Sequence, residues 1–258
     1  MDEPFFFDPD RLRGIAEANR EAFAAAEPFP HVVIDGIVPD DVLDRVVAEA
    51  PDPAEERAWV VTQDVKSVKR GLNRDWYLGP TTRQVLTQCN SGAFLDFLEV
   101  LTGIPGLIVD PHFQGGGLHT IEPGGYLRVH ADFNRHPRLG LDRRLNVLLY
   151  LNRDWDDAWG GHLELWDPTL SHRVLQVAPE FNRLVVFATS STSFHGHPNP
   201  LRTPPGVYRR SLALYYYSNG RPEEERTDPH LTLWQAGVGE EEPRPSEEEL
   251  AARSATPD

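Results

Sequence analysis

The sequence predicts an α+β fold that is mainly β, in which helices come first and an antiparallel sandwich or jelly roll follows. Before Gly103 apolar residues recur at helical spacing, and after it short alternating segments are separated by Gly, Pro and Asn. The 258 residues suffice for one large domain with a substantial core. We therefore predict a single domain over 1–236, with a helix-rich part over 1–107 and a β core over 108–220.

The N-terminal part shows clear helix boundaries. The first helix is expected to begin at Asp8, a capping carboxylate that is followed by proline, and to end before Pro28. Proline and glycine limit the later segments in the same way. The other expected elements are a strand over 31–35, a helix over 40–50, a strand with an exposed loop over 59–70, and a helix over 81–103 with a break near Ser91.

The β core is expected to contain short strands with period two. Asn146 and Tyr150 share one face of their strand, and Arg209 and Ser211 share one face of theirs. Such polar faces either look to solvent or line a polar pocket inside a barrel. The expected strands are 120–121, 126–131, 145–151, 162–166, 173–177, 184–188 and 209–217.

Composition excludes several classes of protein. The net charge of −15 argues against a nucleic-acid partner, because the field would repel phosphates. No apolar run is long enough to cross a membrane, the acidic N-terminus does not resemble a signal peptide, and Cys89 is the only cysteine. These features predict a cytoplasmic protein, with monomer and homodimer both open. Residues 237–258 hold seven acids and two arginines, and are expected to form a disordered tail or a short frayed helix.

Three residues form the pattern with most chemical content. His130 and Asp132 are two apart on a predicted strand, so both side chains can point the same way. His195 follows 65 residues later. Two imidazoles and one carboxylate are the ligand set of a non-haem Fe(II) facial triad, which leaves three coordination positions open. A His-x-Asp pattern is common by chance, so this site needs support from the surrounding sequence.

That support comes from a resemblance over roughly residues 108–220. The order His-x-Asp, distal His, then Arg-x-Ser resembles the 2-oxoglutarate- and Fe(II)-dependent oxygenases, and most closely their prolyl-hydroxylase-like branch. Each motif is weak alone, and their conjunction in the family's order carries the comparison. The matching stretches are Gly124–Asp132, Leu149–Trp155 followed by Gly160–Leu163, Pro179–Phe187, and Arg209–Ser211.

The resemblance implies a double-stranded β-helix of the jelly-roll or cupin-like kind, supported by a helical buttress. It assigns His130, Asp132 and His195 to Fe(II), with His197 as the alternative distal ligand. Arg209 would bind the C5 carboxylate of 2-oxoglutarate, because a planar guanidinium suits a bidentate ion pair. The further candidates for contacts with the cosubstrate are Ser211, Tyr150, Asn146 and His119.

The implied reaction converts 2-oxoglutarate and O2 to succinate and CO2 while an unactivated C–H bond is hydroxylated, with ascorbate as a candidate reductant. Halogenating relatives replace the carboxylate ligand, so Asp132 favours hydroxylation. The substrate would be a prolyl residue, a free amino acid or another small molecule. Loops 62–74 and 133–145 are expected to shape its entrance. The substrate-side candidates are Arg128, Asn134, Arg135, His136 and Trp155.

Two other functions remain open from the residues alone. One is a cupin-like metal protein, or a metalloenzyme without oxygen chemistry. The other is a sensor or binding module on an oxygenase fold. Arg209 and Ser211 disfavour the first, because such a site needs no clamp for 2-oxoglutarate. The complete triad disfavours the second.

Overall fold

The computed structural model describes residues 5–55 and 57–241. Residues 242–258, most of the predicted acidic tail, lie outside the described residues. Within the described part, no helix combines the length and the apolar character that a membrane span requires.

Four helices form where the sequence predicts them. Asp8 caps the first helix by accepting hydrogen bonds from the backbone N–H groups of Asp10 and Arg11. The expected break near Ser91 is real, because the Ser91 hydroxyl caps a new helix. The helices are α1 (Pro9–Ala25), α2 (Asp40–Glu49), α3 (Pro80–Cys89) and α4 (Gly92–Thr102).

The strands confirm the predicted β core and extend it. The segment predicted as a strand with an exposed loop is a hairpin of two strands, β2 and β3. The short strands β4, β11 and β13 have no counterpart in the sequence-based expectation. The strands are β1 (His31–Asp35), β2 (Val60–Gln63), β3 (Ser67–Leu72), β4 (Ile108–Val109), β5 (Gly117–Ile121), β6 (Tyr126–Ala131), β7 (Asp142–Tyr150), β8 (Leu163–Trp166), β9 (Arg173–Val177), β10 (Arg183–Ala188), β11 (His195–His197), β12 (Arg209–Ser218) and β13 (Leu233–Trp234).

These strands form one curled antiparallel sheet, a double-stranded β-helix. Its order is β1-β10-β7-β12-β5-β3-β6-β11-β8-β9, with β2 on β3, β4 on β12 and β13 on β6. Strands far apart in sequence are therefore neighbours, because the chain crosses between the two halves of the roll. The curl encloses one face of β5, β6, β7, β11 and β12.

The two faces of the central strands β7 and β12 have different roles. Val147 and Leu214 lie on the outer face, inside the apolar core that the four helices complete. Tyr216 belongs to the same face, and its hydroxyl donates to the carbonyl of Cys89 at the end of α3. The inner face carries Asn146 and Arg209, which line a cavity. Of the two alternatives that the sequence left open, the structure therefore has the polar pocket.

The segment after β12 returns across the open end of the roll. The Asn134 side chain holds it, with Nδ2 donating to Asp228 O and Oδ1 accepting from the His230 backbone N–H. Further on, Asn199 Nδ2 donates to Gly239 O, and Asn199 Oδ1 accepts from the Glu241 backbone N–H. Residues 237–241, where the predicted tail begins, are thus bonded to the body of the domain.

Candidate functional site

The pairing of β6 with β11 brings the predicted metal ligands together. His195 lies directly opposite His130 in this ladder, and their ring centroids are 4.5 Å apart. Asp132 follows β6 by one residue, with carboxylate oxygens 3.5 Å from His130 Nε2 and 3.4 Å from His195 Nε2. One ligand atom from each of the three lies within 4.8 Å of the other two, so a single ion can contact all of them.

The two imidazoles have the orientation that metal binding through Nε2 requires. His130 Nδ1 lies 2.8 Å from the Arg128 carbonyl oxygen, and His195 Nδ1 lies 2.9 Å from the Ser193 carbonyl oxygen. A carbonyl oxygen only accepts, so each Nδ1 carries the proton and each Nε2 presents a lone pair. Burial, followed by the neighbouring His130, lowers the pKa of His195 to about 4, which keeps that ring neutral. The donor set fits Fe(II).

Two buried side chains orient the carboxylate of Asp132. Asn146 Nδ2 donates to Asp132 Oδ2 over 2.7 Å, and Arg143 forms an ion pair with the same oxygen at 3.0 Å. Burial alone would raise the pKa of Asp132, but Arg143 and the two histidines outweigh it and hold that pKa well below its usual value. Asp132 therefore presents an ionised carboxylate to the two imidazoles. Asn146, predicted to contact the cosubstrate, lines the metal pocket and contacts Asp132 there.

Arg143 belongs to the candidate site, and the sequence analysis missed it. Its guanidinium lies 3.5 Å from the centroid of the Tyr215 ring and 4.5 Å from that of Phe133. Alternation from Asn146 places residue 143 on the outer face. However, a bulge shifts the register between Tyr216 and Tyr217, so that Tyr217 pairs with Arg143. Residue 144 is the extra residue of this bulge, and it returns Arg143 to the inner face of β7.

Arg209 lies buried on the inner face of β12, near the ligands. Its Nε donates to the Gly161 carbonyl over 2.6 Å, and its Nη2 donates to the Tyr150 hydroxyl over 3.2 Å. Gly161 has φ +71°, and a Cβ there would collide with Leu201 and lie 3.1 Å from Arg209 Cδ. Only glycine permits this approach. Ser211 is also buried and lines the same cavity, as predicted from its place two residues along.

Lys69 and His119 complete the wall of the metal pocket, and Lys69 was not singled out from the sequence. The His119 Nε2 lies 3.0 Å from the Gly115 carbonyl oxygen and donates to it. Burial, and then the positive charge of Lys69, lower the pKa of His119 to about 3. His119, predicted as a cosubstrate contact, is thus a neutral imidazole between the metal pocket and a second cavity.

The depressed pKa of His119 makes a prediction for acid stability. In the unfolded chain an imidazole takes up a proton near pH 6.5, whereas in the folded protein His119 does so only near pH 3. His119 therefore contributes stability above pH 6.5 that is lost as the pH falls towards 3. We expect metal-free His119→Gln to lose less stability than the wild type on acidification from pH 6.5 to 4.5, by up to about 1 kcal/mol per pH unit.

Urea unfolding of the metal-free protein at several pH values measures this difference. His172→Gln, which removes an exposed imidazole, is the matched control and should follow the wild type. Parallel curves for His119→Gln and the wild type would contradict the prediction.

The five predicted substrate-side residues have other partners. Arg128 forms an ion pair with Glu240 at 2.7 Å, and Arg135 donates to the Gly140 carbonyl of its own loop. The loop 133–141 folds back on itself, because the His136 backbone N–H donates to the Leu141 carbonyl and the Gly140 N–H donates to the His136 carbonyl. Asn134 holds the C-terminal segment. The His136 Nδ1 accepts from the Arg138 and Leu139 N–H groups. Trp155 donates to Gly160 O and packs on Trp159.

His197, the alternative distal ligand, is buried in the wall of the pocket. In the described part of the chain, the group of residues placed to bind one metal contains His195 and not His197. The ring of Trp234, another residue the sequence analysis missed, lies 4.8 Å from that of His130, because β13 pairs with β6. A two-residue strand gives no periodic signal, which explains why this neighbour was not predicted.

Comparison with known protein families gives a match over most of the β core. Residues 116–217 match the family described as the 2OG-Fe(II) oxygenase superfamily. A search of curated proteins returns no match.

Solved structures share the fold at low sequence identity. A Pseudomonas putida prolyl-4-hydroxylase is 20% identical, with a TM-score of 0.54 over 79% of this chain and 99% of that one. A Trichoplax adhaerens prolyl hydroxylase in complex with a hypoxia inducible factor peptide fragment is 16% identical, with a TM-score of 0.54 over 84% and 93%. HygX from Streptomyces hygroscopicus, with nickel, 2-oxoglutarate and hygromycin B bound, is 12% identical, with a TM-score of 0.51 over 83% and 96%.

Proposed function

We propose, from the premise that residues 116–217 place this chain in the 2OG-Fe(II) oxygenase superfamily, that it hydroxylates an unactivated C–H bond of a prolyl residue, a free amino acid or another small molecule. The chain is a 2-oxoglutarate-dependent dioxygenase with Fe(II) as its metal. The observation that carries the proposal is the convergence of His130, Asp132 and His195 on one point in a pocket that also contains Arg209.

The residues have distinct roles in this proposal. His130 Nε2, His195 Nε2 and the Asp132 carboxylate hold Fe(II), which when bound supplies the redox chemistry that couples decarboxylation of 2-oxoglutarate to attack on a C–H bond. Arg209 binds the C5 carboxylate of the cosubstrate. Burial raises the pKa of Tyr150, so its hydroxyl keeps its proton and can donate to the carboxylate that Arg209 binds.

The pocket also controls water and charge. The apolar side chains of Leu148 and Leu163 line it beside the ligands, which limits the access of water to the reacting groups. Arg143 and Asn146 fix the orientation of Asp132 before the metal binds. Because these side chains are already in place, they need little reorganisation during the reaction.

Release of labelled CO2 from 2-oxoglutarate tests the proposal. The protein would be incubated with Fe(II), O2 and candidate substrates, namely prolyl peptides, free amino acids and small molecules. We expect Fe(II)-dependent release that a true substrate stimulates, and a product heavier by one oxygen atom in mass spectrometry. His195→Ala should abolish release, whereas His172→Ala, which removes an exposed imidazole, should not. Absence of 2-oxoglutarate binding by the Fe(II)-loaded protein would overturn the proposal.

A further inference from the structure

Beside the metal pocket lies a second cavity, defined here as the side cavity. Its volume is about 250 Å³, and it opens between the β2–β3 hairpin and the glycine-rich turn before β5. It shares two wall residues with the metal pocket, Lys69 and His119. Ligand sites for drug-sized molecules usually measure about 300–1,000 Å³, so the side cavity suits a group no larger than an amino acid.

Strand pairing points Lys69 at the metal pocket. Lys69 precedes Arg70, which pairs with Thr120, so Lys69 lies level with Ile121 on β5. Ile121 in turn pairs with Arg209 on β12. Residues level with one another on adjacent strands share a face, so the lysine and the arginine both point into the roll.

Lys69 lacks a compensating charge. Its ammonium has no hydrogen-bond or ion-pair partner among the residues that the structure describes, although the side chain is half-buried. The positive charges of Arg143 and Arg209 act on it as well as the negative charge of Asp132. Asp132 is already ion-paired with Arg143. A partly buried ammonium in such surroundings is costly unless an anion joins it.

The charges of the loaded site lead to the same conclusion. The Asp132–Arg143 pair is neutral, and the two charges of Fe(II) are balanced by the two carboxylates of 2-oxoglutarate. Arg209 and Lys69 then leave an excess of two positive charges in the pocket. A neutral substrate would leave this excess uncompensated, whereas an anionic one would reduce it.

We propose that the substrate is a small molecule with an oxyanion, a carboxylate or a phosphate, close to the C–H bond that is attacked, and that Lys69 binds this group at the boundary between the metal pocket and the side cavity. This inference rests on the proposed function and names the class of its substrate. Lys69 is a specificity-determining residue, and an internal residue of a peptide chain, which offers no main-chain carboxylate, is disfavoured.

Anaerobic binding tests the inference without turnover. Protein loaded with Fe(II) and 2-oxoglutarate under argon would be titrated calorimetrically with matched pairs: the common free amino acids against their amides, and O-phosphoserine amide against serine amide. We expect the anionic member of at least one pair to bind about tenfold tighter or more. The amino-acid pairs report a carboxylate, and the phosphoserine pair reports a phosphate.

Variants then assign the preference to Lys69. Lys69→Met keeps the aliphatic stem and should reduce the preference for the anion to about threefold or less, while 2-oxoglutarate affinity stays within about twofold. The control Lys66→Met removes an exposed lysine of the same hairpin and should bind as the wild type does. Lys69→Arg should retain part of the preference.

Three results would overturn the inference. In the first, no anionic member binds tighter than its neutral partner. In the second, Lys69→Met weakens the binding of 2-oxoglutarate as strongly as that of the substrate, which would assign Lys69 to the cosubstrate. In the third, Lys66→Met has the same effect as Lys69→Met. Failure of the proposed function would differ from all three results, because the wild type would then bind no 2-oxoglutarate.

Discussion

Replacement of Asp132 by alanine is expected to abolish 2-oxoglutarate turnover and also to destabilise the metal-free protein. Turnover is lost because, in the proposed function, Asp132 is the only anionic protein ligand of Fe(II). Stability is lost because Arg143, whose side chain is 1% exposed, keeps its charge without its partner. Removal of one member of a buried ion pair costs about 3–5 kcal/mol, and the 12% exposure of Asp132 places the expected loss at about 3 kcal/mol.

A double variant separates the two effects. In Asp132→Ala/Arg143→Met the guanidinium that the single variant leaves without its carboxylate is also removed, so most of the free energy of unfolding should return while turnover stays absent. Urea unfolding without metal measures the stability, and equilibrium dialysis measures Fe(II) binding. The control is Asp41→Ala, which breaks an exposed i,i+4 pair with Arg45 and should cost less than about 0.5 kcal/mol.

The expected effects of Asp132→Ala on turnover and on stability can be contradicted separately. If Asp132→Ala retains turnover, the carboxylate is not a metal ligand. If instead the single variant is as stable as the wild type, the ion pair with Arg143 contributes nothing to folding.

Much of the site was predictable because its residues follow regular strands. His130 and Asp132 are two apart near the end of β6, and Arg209 and Ser211 are two apart on β12, so alternation alone placed each pair on one face. The sequence could not show that His195 lies opposite His130, because β11 has only three residues and no visible period. The resemblance to a family supplied that third ligand.

The residues that were missed depend on pairing between distant strands. Lys69 belongs to a segment expected to be an exposed loop, and its position became apparent only from the register of β3 with β5. Arg143 was hidden by the bulge in β7, which reverses the alternation that holds from Asn146 onward. Bulges and long-range registers have no short-range signal, so periodicity could not have located either cation.

The predicted substrate-side residues stay untested, but their contacts in the fold have a related cause. Proximity in sequence to the metal strand favoured Asn134 and His136, but a loop can turn its polar side chains inward to satisfy its own backbone. His136 does so, because its Nδ1 accepts from two N–H groups of the same loop. Cations near a ligand in sequence were thus poorer candidates than Lys69, which is 63 residues from Asp132 but faces the pocket.

Replacement of Arg209 by methionine is expected to raise the Michaelis constant for 2-oxoglutarate by about 100-fold, with Fe(II) affinity nearly unchanged. Loss of one partner from a buried, hydrogen-bonded charge pair costs about 2–5 kcal/mol, or roughly 30- to 5,000-fold in affinity. The lower part of this range applies here, because the second carboxylate of 2-oxoglutarate remains bound at the metal and Tyr150 still offers a hydroxyl.

The adjacent arginine provides a matched control. Arg210 is on the opposite face of β12, with its guanidinium 5.1 Å from the centroid of the Tyr208 ring, so Arg210→Met should leave the Michaelis constant within about twofold. Arg209→Lys keeps the charge but not the bidentate geometry, and should be intermediate. Initial rates of CO2 release against 2-oxoglutarate concentration measure these constants, and anaerobic titration gives Fe(II) affinity. If Arg209→Met weakened Fe(II) binding and left the Michaelis constant for 2-oxoglutarate unchanged, the assignment would be reversed. Arg209 would then act on the metal ligands and not on the cosubstrate.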